Sequence, residues 1–328
     1  MVLAIETSCD ETSVAILDGK RILSNVLYSQ IQHHQRYGGV VPELASRLHA
    51  EKIDYVLTQA MRKASVDFSD LSHIAVTVGP GLEGALLVGI TAANTLAQAL
   101  NIPLIPVNHL HGHIYAAERD ATLAFPSLIC LASGGHTMII YMKHNLSFEI
   151  IANTMDDACG ECFDKVARML DLGYPGGPKI EALAKDGEIS INFPHPIKKN
   201  PNAFSFSGLK TAVLAKVKES ASDNYSNIAA SIQHRISTVL SDKLLLTLES
   251  YVADQLVLCG GVFANQFIRS HIVGQVPIEN IVIPSPELCT DNAAMIGLAA
   301  NHYISKGIVM NHIKQCYPNM GLLFPSVE

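Results

Sequence analysis

Two histidines four residues apart are the pair whose type and spacing most directly predict chemistry. His109 and His113 share one face if the segment is helical, so both imidazoles can bind one metal ion, while His111 faces elsewhere. A carboxylate from a distant part of the chain would complete a two-histidine, one-carboxylate site, which both Fe²⁺ and Zn²⁺ accept. Asp291 is the candidate, and its alternative role is to cap the helix that follows it. The prediction is a metal centre with positions open for a reacting ligand.

Two polar turns between predicted antiparallel strands are candidates for binding phosphate. They lie at 7–13 and 133–137, in corresponding places of the two halves of the chain. Backbone N–H groups converge in such turns, and adjacent glycines such as Gly134 and Gly135 allow an anion to approach closely. A Gly-Gly pair at 260–261, followed by Asn265, lies between a predicted strand and a helix and suits an adenosine or a ribose. Each of these segments is alternatively an ordinary structural turn.

Cys159 and Cys162 form a Cys-x-x-Cys pair, a spacing found in redox-active and in metal-binding proteins. The chain offers no second pair to complete a zinc site. The flanking sequence predicts the start of a helix rather than the strand–helix turn of a thioredoxin. A structural role is therefore favoured for both thiols.

The composition indicates a folded chain that is long enough for two domains. Of its 328 residues, 48% are apolar and only 16% are charged, which argues against disorder and leaves ample material for a core. The seven cysteines show no repeating framework, and no secretory signal opens the sequence. We therefore expect a protein of the reducing cytoplasm.

The charge is unevenly distributed along the chain. A formal net charge of −7 disfavours binding of nucleic acid through the protein's own surface alone. Residues 195–218, however, contain five lysines and no acidic residue. This segment indicates either a basic contact surface or a solvated helix face.

Residues 84–117 contain no Asp, Glu, Lys or Arg, which is a feature of membrane-spanning helices. Polar residues interrupt the apolar face, and Pro103 and Pro106 end the run too early to cross a bilayer. We predict a buried helix at 85–100, a short strand at 104–107, and no association with a membrane.

The order of predicted elements repeats in the two halves of the chain. Apart from the two elements just described, the first half has strands at 2–6, 14–17, 21–28 and 74–78 and a helix at 41–64. The second half has strands at 127–132, 138–142, 148–152 and 255–259 and a helix from about residue 265. Each half opens with three strands and then alternates helix and strand, which indicates an internal duplication.

The predicted fold class is α/β, as a duplicated actin-like or hexokinase-like ATPase fold of the ribonuclease H-like type. Proteins of that superfamily have two lobes and bind nucleotides in the cleft between them. We place the N-terminal lobe at 1–115, completed by a C-terminal helix at 300–328, and the C-terminal lobe at 116–299.

Ordered motifs extend nearly from end to end of the sequence. They are Ile5-Glu-Thr-Ser-Cys-Asp-Glu-Thr12, Tyr37-Gly-Gly-Val-Val-Pro-Glu-Leu-Ala-Ser-Arg47, Gly79-Pro-Gly-Leu, the segment from His109 to His113, Ser133-Gly-Gly-His-Thr137, Asp156-Asp-Ala, Phe163-Asp-Lys-Val-Ala-Arg168, Tyr174-Pro-Gly-Gly-Pro178, Phe204-Ser-Phe-Ser-Gly-Leu-Lys-Thr211, Gly260-Gly-Val and Cys289-Thr-Asp-Asn-Ala-Ala-Met295. Through these motifs the chain resembles the universal tRNA adenosine threonylcarbamoyltransferase family, formerly described as O-sialoglycoprotein endopeptidases.

The resemblance implies an activity and a set of site residues. The implied reaction transfers a threonylcarbamoyl group from threonylcarbamoyl-AMP to the N6 amine of adenosine 37 in tRNAs reading codons that begin with A, and AMP is released. A divalent metal, Fe²⁺ first and Zn²⁺ as the alternative, would be held by His109, His113 and Asp291, and Asp10 matches a catalytic position. The implied adenylate-binding residues are Leu131, Ala132, Ser133, Gly134, Gly135, Asp164, Gly177, Glu181 and Asn265.

The resemblance also implies partners. Besides tRNA, the family typically works with a smaller non-catalytic paralogue and an ATPase. The segment after Gln315 lacks the basic, Trp-containing ending of many bacterial relatives, and the chain has no tryptophan. Together with the net negative charge, this predicts that partner proteins supply part of the basic surface that tRNA needs.

Three alternative functions are weighed against this one. A zincin-type metalloprotease needs Glu directly after the first histidine as its general base, and Leu110 occupies that position. A small-molecule kinase of the same fold does not need the histidine pair, and the fold alone says nothing of chemistry. A non-catalytic partner protein would have no use for both histidines and Asp291.

Overall fold

The structure is a computed structural model that describes residues 1–219 and 224–323. The chain divides into two compact units, the first comprising Met1–Thr122 and Thr290–Glu328 and the second Leu123–Cys289. The strands are β1 (Val2–Glu6), β2 (Glu11–Asp18), β3 (Arg21–Ser29), β4 (His73–Gly79), β5 (Leu104–Asn108), β6 (Ser127–Ala132), β7 (Thr137–Met142), β8 (Phe148–Thr154), β9 (Ala203–Phe204), β10 (Gln255–Cys259) and β11 (Ile281–Val282). The helices are α1 (Ile31–His34), α2 (Pro42–Ala64), α3 (Glu83–Leu100), α4 (His109–Tyr115), α5 (Cys159–Met169), α6 (Gly176–Ala184), α7 (Ser207–Glu219), α8 (Tyr225–Leu248), α9 (Gln266–Gln275), α10 (Pro286–Cys289) and α11 (Ala293–Ser305).

The first unit is built on a five-stranded sheet in the order β3-β2-β1-β4-β5. β1 pairs antiparallel with β2 and parallel with β4. Leu3 and Ile5 of β1 share a core with Ile53 of α2 and Ile90 of α3. α11 packs on β1, β2 and β5. Because helices cover the sheet, its central strands are buried on both faces, and they read in the sequence as continuous apolar runs.

The second unit repeats that plan with one additional edge strand. Its sheet has the order β11-β10-β6-β7-β8-β9. β6, β7 and β8 form the antiparallel meander, and β10 pairs parallel with β6 as β4 does with β1. β9 lies beyond the meander and pairs parallel with β8. The matching strand orders confirm the duplicated α/β fold that the element order predicts.

The C-terminal segment differs from the prediction. The sequence predicts a helix at 300–328, whereas the last helix is α11, Ala293–Ser305. The side chain of Asn292 caps its start, and Gly307, in the left-handed region at φ +70°, follows its end. The unit that this segment completes therefore resumes at Thr290. Residues 324–328 of the predicted helix lie outside the described residues.

The uncharged run at 84–117 forms a helix and a short strand at the predicted places, as α3 and β5, and continues into α4. The prediction that the helix is buried holds for one face only, because Leu86 and Ile90 are buried whereas Leu87 is exposed. Within 1–219 and 224–323, none of the helices combines the length and the apolar character that crossing a membrane requires.

Candidate metal centre

The histidine motif forms a short helix that begins directly at the end of β5. The buried side chain of Asn108 accepts a hydrogen bond from the Leu110 N–H at 2.9 Å and donates one to the Gly321 carbonyl at 2.8 Å. The first contact is an N-cap, which satisfies one of the backbone N–H groups that a helix start leaves unpaired. This cap fixes the start of α4 at His109 and places His113 one turn later on the same face.

Close packing of α4 against α11 brings the carboxylate to the histidines. A Cβ atom added at Gly112 would lie only 2.8 Å from the Ile296 side chain, so the absence of a side chain permits this approach. Asp291 lies two residues before α11, whose cap is Asn292, accepting from the Met295 N–H at 3.1 Å. Because Asn292 provides the cap, the alternative role of Asp291 as the helix cap does not apply.

The donor atoms of the three residues have the spacing of ligands to one ion. The Asp291 Oδ1 atom lies 3.2 Å from His113 Nε2 and 3.5 Å from His109 Nε2. The two imidazole rings stand nearly perpendicular, with centroids 4.7 Å apart. Two ligand atoms that are each about 2.1 Å from an ion at tetrahedral or octahedral angles lie roughly 3.0–3.4 Å from one another. The two separations from Asp291 are close to this range, and all three donor atoms lie within 4.8 Å of one another.

His113 also shows that the site fits a cation. Both of its ring nitrogens are buried, and neither makes a hydrogen bond with any described residue. The Nε2 atom is close to Asp291 but is not aligned for a hydrogen bond. Leaving a buried polar atom unpaired costs about 1–3 kcal/mol. A metal ion held with Asp291 would satisfy Nε2, so the residues present fit a divalent metal.

His109 is held from its other side by a buried carboxylate. Glu6 Oε2 lies 3.1 Å from His109 Nδ1, and Ser8 Oγ lies 3.1 Å from the same nitrogen. Burial by itself lowers the pKa of His109, but the charges of Asp291 and Glu6 outweigh it and raise the pKa to about 9. Burial by itself raises the pKa of Glu6, but the charge and hydrogen bond of His109 outweigh it, so the pKa of Glu6 is lowered. The site therefore strongly attracts positive charge.

His111 belongs to the fold and not to the site. Its Nε2 atom lies 2.8 Å from the Leu322 carbonyl, which only accepts, so Nε2 carries the proton. Its Nδ1 atom then accepts from the Tyr303 hydroxyl at 2.6 Å. Complete burial lowers the pKa of His111 to about 4, so the ring is neutral. As its position in the sequence predicts, it faces away from its two neighbours.

Asp10 lies in the buried turn between β1 and β2, which is shorter than the predicted 7–13 because β2 begins at Glu11. The Asp10 carbonyl accepts from the Gln30 N–H at 3.0 Å, and the preceding Cys9 carbonyl lies 2.9 Å from His49 Nε2. Burial and the charges of Asp10 and Asp291 raise the pKa of Glu11 well above its ordinary range.

Glu6 is the residue in contact with a predicted ligand, His109, that the sequence reasoning missed. It is the only charged residue of an otherwise apolar buried strand, and that contrast is the signal that marks it.

In the second unit, the predicted adenylate residues begin where β6 ends. β6 and β10 are parallel neighbours, with Leu131 opposite Cys259, so the segments after both strands emerge at the same edge of the sheet. Ser133 closes a tight turn by donating its N–H to the His136 carbonyl at 2.8 Å. Gly134 and Gly135 are exposed, and a Cβ atom added at either would meet no atom of a described residue within 4 Å. Steric contacts with the described part of the chain therefore do not explain these glycines.

The remaining predicted residues connect four helices around that edge. Asp164 accepts from the Gly176 N–H at 2.7 Å, which places Gly177 beside it at the start of α6. Glu181 accepts from the Gln266 N–H at 2.8 Å, at the start of α9. Asn265 caps α9 and donates to Gln233 of α8 at 2.7 Å. Close packing of Gly160 of α5 against the Ser133 carbonyl links this set to the turn after β6.

Cys159 and Cys162 are free, fully buried thiols at the start of α5. Burial raises the pKa of Cys159 to about 12 and that of Cys162 well above its ordinary range. Because the reactive form of cysteine is the thiolate, this environment favours the structural role.

Comparisons with known proteins agree with these features. The family model described as tRNA N6-adenosine threonylcarbamoyltransferase matches residues 21–298. A Staphylococcus saprophyticus protein named tRNA N6-adenosine threonylcarbamoyltransferase is 47% identical over 336 residues, covering 100% of this chain and 98% of its own.

Two solved structures show the same fold at low sequence identity. Full-length HypF, in its phosphate- and nucleotide-bound form, aligns with a TM-score of 0.62 and 16% identity, covering 93% of this chain and 46% of its own. Component A of the Acidaminococcus fermentans (R)-2-hydroxyglutaryl-CoA dehydratase aligns with a TM-score of 0.57 and 15% identity, covering 94% of this chain and 98% of its own. The family model and the full-length relative establish that the chain belongs to the tRNA N6-adenosine threonylcarbamoyltransferase family.

Proposed function

We propose that this protein transfers the threonylcarbamoyl group of threonylcarbamoyl-AMP to the N6 amine of adenosine 37 in tRNAs reading codons that begin with A. The observation that carries the proposal is the 47% identity, over the whole chain, with a relative named for this transfer. The convergence of His109, His113 and Asp291 supports it independently, because these three residues could hold a metal ion within a family fold.

The proposed reaction is an acyl transfer. The adenosine amine attacks the carbamoyl carbon, the bond from that carbon to the phosphate oxygen breaks, and AMP leaves with the electron pair while the amine loses a proton. The donor is a mixed anhydride with a good leaving group. The protein therefore mainly has to position the donor, polarise it and exclude water.

We assign the metal to His109, His113 and Asp291, with Fe²⁺ as the first choice and Zn²⁺ as the second. A bound divalent ion supplies Lewis-acid polarisation of carbonyl or phosphate oxygens and a fixed point for orienting the donor. Two imidazoles and one carboxylate leave further coordination positions open, as a catalytic site needs. The charges that Asp291 and Glu6 place around His109 support a cation at this position.

We assign Asp10 to the reaction itself, primarily to hold the donor and secondarily to accept the amine proton. The burial of Asp10 supports this role, and so does the effect of its charge on the pKa of Glu11, which the charge of Asp291 also raises.

We assign the adenylate to the second unit. The turn after β6 offers backbone N–H groups and two glycines with open space, which suits a phosphate. Gly177 offers the same open space at the start of α6, where helix N–H groups favour anions. Glu181 and Asn265 lie in the connected set around α6 and α9 and are assigned to the ribose and the adenosine.

We infer that the protein works with tRNA, a smaller non-catalytic paralogue and an ATPase, and that it does so in the cytoplasm, where tRNA is used. The net charge of −7 supports a need for basic surface from partners. The metalloprotease alternative is disfavoured by Leu110, which cannot act as a general base, and the kinase alternative has support from the fold alone.

Reconstitution tests the proposal. The full chain, its paralogue, the ATPase, tRNA and threonylcarbamoyl-AMP are combined, and the modified nucleoside is measured by mass spectrometry with and without chelator. The expected result is modified adenosine that chelator abolishes and added metal restores. Absence of product with active partners would contradict the transfer, and product that is insensitive to chelator and to His113→Ala would contradict the metal assignment.

A further inference from the structure

Glu6 is a fully buried carboxylate at the end of β1 that is not part of the three-residue ligand set. We propose that Glu6 is a positioning residue for the metal centre, which fixes the His109 imidazole so that Nε2 faces the ion. This inference rests on the metal site of the proposed function and adds a residue to it.

Among the described residues, two donors and one imidazole nitrogen lie within hydrogen-bond distance of the Glu6 carboxylate. The Ser8 N–H donates to Oε1 at 2.5 Å, the Thr77 hydroxyl donates to Oε2 at 2.6 Å, and His109 Nδ1 lies 3.1 Å from Oε2. A carboxylate accepts through both oxygens, so it matches this set, whereas a neutral amide would place an NH₂ group against one of the donors. Glu6 is thus held from two sides before His109 is considered.

The contact decides which nitrogen of His109 can bind a metal. Because the Glu6 carboxylate only accepts, the facing Nδ1 atom carries the proton of the neutral ring. The lone pair then lies on Nε2, which is the nitrogen 3.5 Å from Asp291. Histidine ligands of metals commonly donate their other N–H to a carboxylate, which fixes the tautomer and the ring orientation.

His113 lacks such support, so the site is asymmetric. Within the described residues its Nδ1 atom has no hydrogen-bond partner, whereas Nδ1 of His109 contacts both Glu6 and Ser8. His109 is therefore the ligand of the pair whose ring orientation is fixed before metal binds. The metal affinity of the site then depends on Glu6, which lies 103 positions from His109 in the sequence.

The test is the metal affinity of Glu6→Gln in the full chain. Co²⁺ is titrated against a competing chelator, and its visible absorption spectrum reports the ligand geometry. We expect Glu6→Gln to weaken Co²⁺ binding about 10–100-fold, the range typical for loss of such a supporting partner, and to alter the spectrum. Glu6→Asp, which keeps the charge, is expected to recover part of the affinity.

Glu118→Gln is the matched control. Glu118 is also a buried carboxylate of the first unit, and it contacts a histidine, His302 Nε2 at 2.7 Å, that is not a predicted ligand. We expect the Glu118→Gln variant to bind Co²⁺ with the same affinity as the unaltered protein. Thermal unfolding without metal shows whether each variant is folded, and Glu6→Asp serves in place of Glu6→Gln if the latter does not fold.

The outcomes separate this inference from the proposed function. If the unaltered chain binds Co²⁺ and His113→Ala abolishes binding, the metal site stands. In that case, a Glu6→Gln variant that binds Co²⁺ as tightly as the unaltered chain would overturn the role of Glu6 alone. If Glu6→Gln does not fold, the same comparison is made with Glu6→Asp. If the unaltered chain does not bind Co²⁺ through His113, both the metal site and the role of Glu6 are contradicted.

Discussion

The candidate metal centre of the first unit is made of side chains, whereas the candidate adenylate region of the second unit is largely backbone. In the first, the signal is a group with unmet bonding capacity, because the buried nitrogens of His113 have no hydrogen-bond partner among the described residues. In the second, the signal is unfilled space beside Gly134, Gly135 and Gly177.

The difference shows why the two regions respond differently to mutation. Side chains that converge on an ion can be removed one at a time, and each removal deletes a ligand. Residues such as Asp164 and Asn265 also hold helices together, so their removal would confuse binding with stability. The three glycines avoid this difficulty, since an added methyl group there meets no atom within 4 Å in 1–219 or 224–323.

The largest expected effect is on metal binding in the first unit. His113→Ala removes a ligand outright, so metal affinity should fall by more than the roughly 100-fold limit typical of supporting residues. Metal content after dialysis, measured by mass spectrometry, checks this. Glu118→Gln, which lies outside both sites, serves as the control and should keep its metal. If His113→Ala kept all of its metal, the first unit would not contain a metal centre built from these side chains, and the contrast with the second unit would be wrong.

His111→Ala sharpens the contrast inside the histidine motif. We expect a loss of about 2–4 kcal/mol in the free energy of unfolding, because a buried ring disappears and two polar partners, Tyr303 and Leu322, lose their contact. Urea unfolding of the metal-free protein measures it. His113→Ala is the comparison, and its loss should be smaller because its ring nitrogens make no hydrogen bond with described residues. Equal losses would contradict the division of roles.

Two neighbouring glycines of α6 provide the corresponding test in the second unit. A Cβ atom at Gly176 would lie 2.5 Å from the Phe163 carbonyl, so Gly176→Ala should destabilise the protein by about 1–3 kcal/mol. Gly177→Ala meets no such obstacle and should leave stability equal or up to about 1 kcal/mol higher, while weakening adenylate binding. Urea unfolding and calorimetric titration with AMP measure the two effects. Unchanged AMP affinity in Gly177→Ala would count against the adenylate assignment.

The smallest expected effect concerns Glu118, which lies outside both sites. Although burial alone would raise its pKa, contacts with His302 and Lys20 lower the folded-state pKa below the ordinary value of 4.5. The resulting stabilisation is present above about pH 4.5 and is lost as the pH falls through the folded-state pKa. Glu118→Gln should therefore be about 1 kcal/mol less stable near neutral pH, with the difference vanishing in acid. Unfolding curves across pH 3–7 test this, and a pH-independent difference would exclude the ionic explanation.

Much of the fold was predictable because its determinants are local. The limits of β1, β6 and β10 follow from short apolar runs bounded by polar turns, and helices α2 and α3 follow from periodicity. The prediction of a helix at 300–328 was wrong in its extent, because the last described helix starts just after Asp291 and ends at Ser305. Gly307, in the left-handed region at φ +70°, follows that end.

The sequence by itself determined the two strand–helix repeats and the spacing of His109 and His113, since both depend on the geometry of single elements. The sequence named Asp291 as a candidate ligand, but only the tertiary structure decided that Asp291 and Glu6 meet those histidines. Asp291 arrives because α11 packs closely on α4 at Gly112, and Glu6 arrives because β1 ends beside the start of α4. Such contacts depend on how elements pack across long separations in the chain, and the local pattern of residues carries no record of that packing.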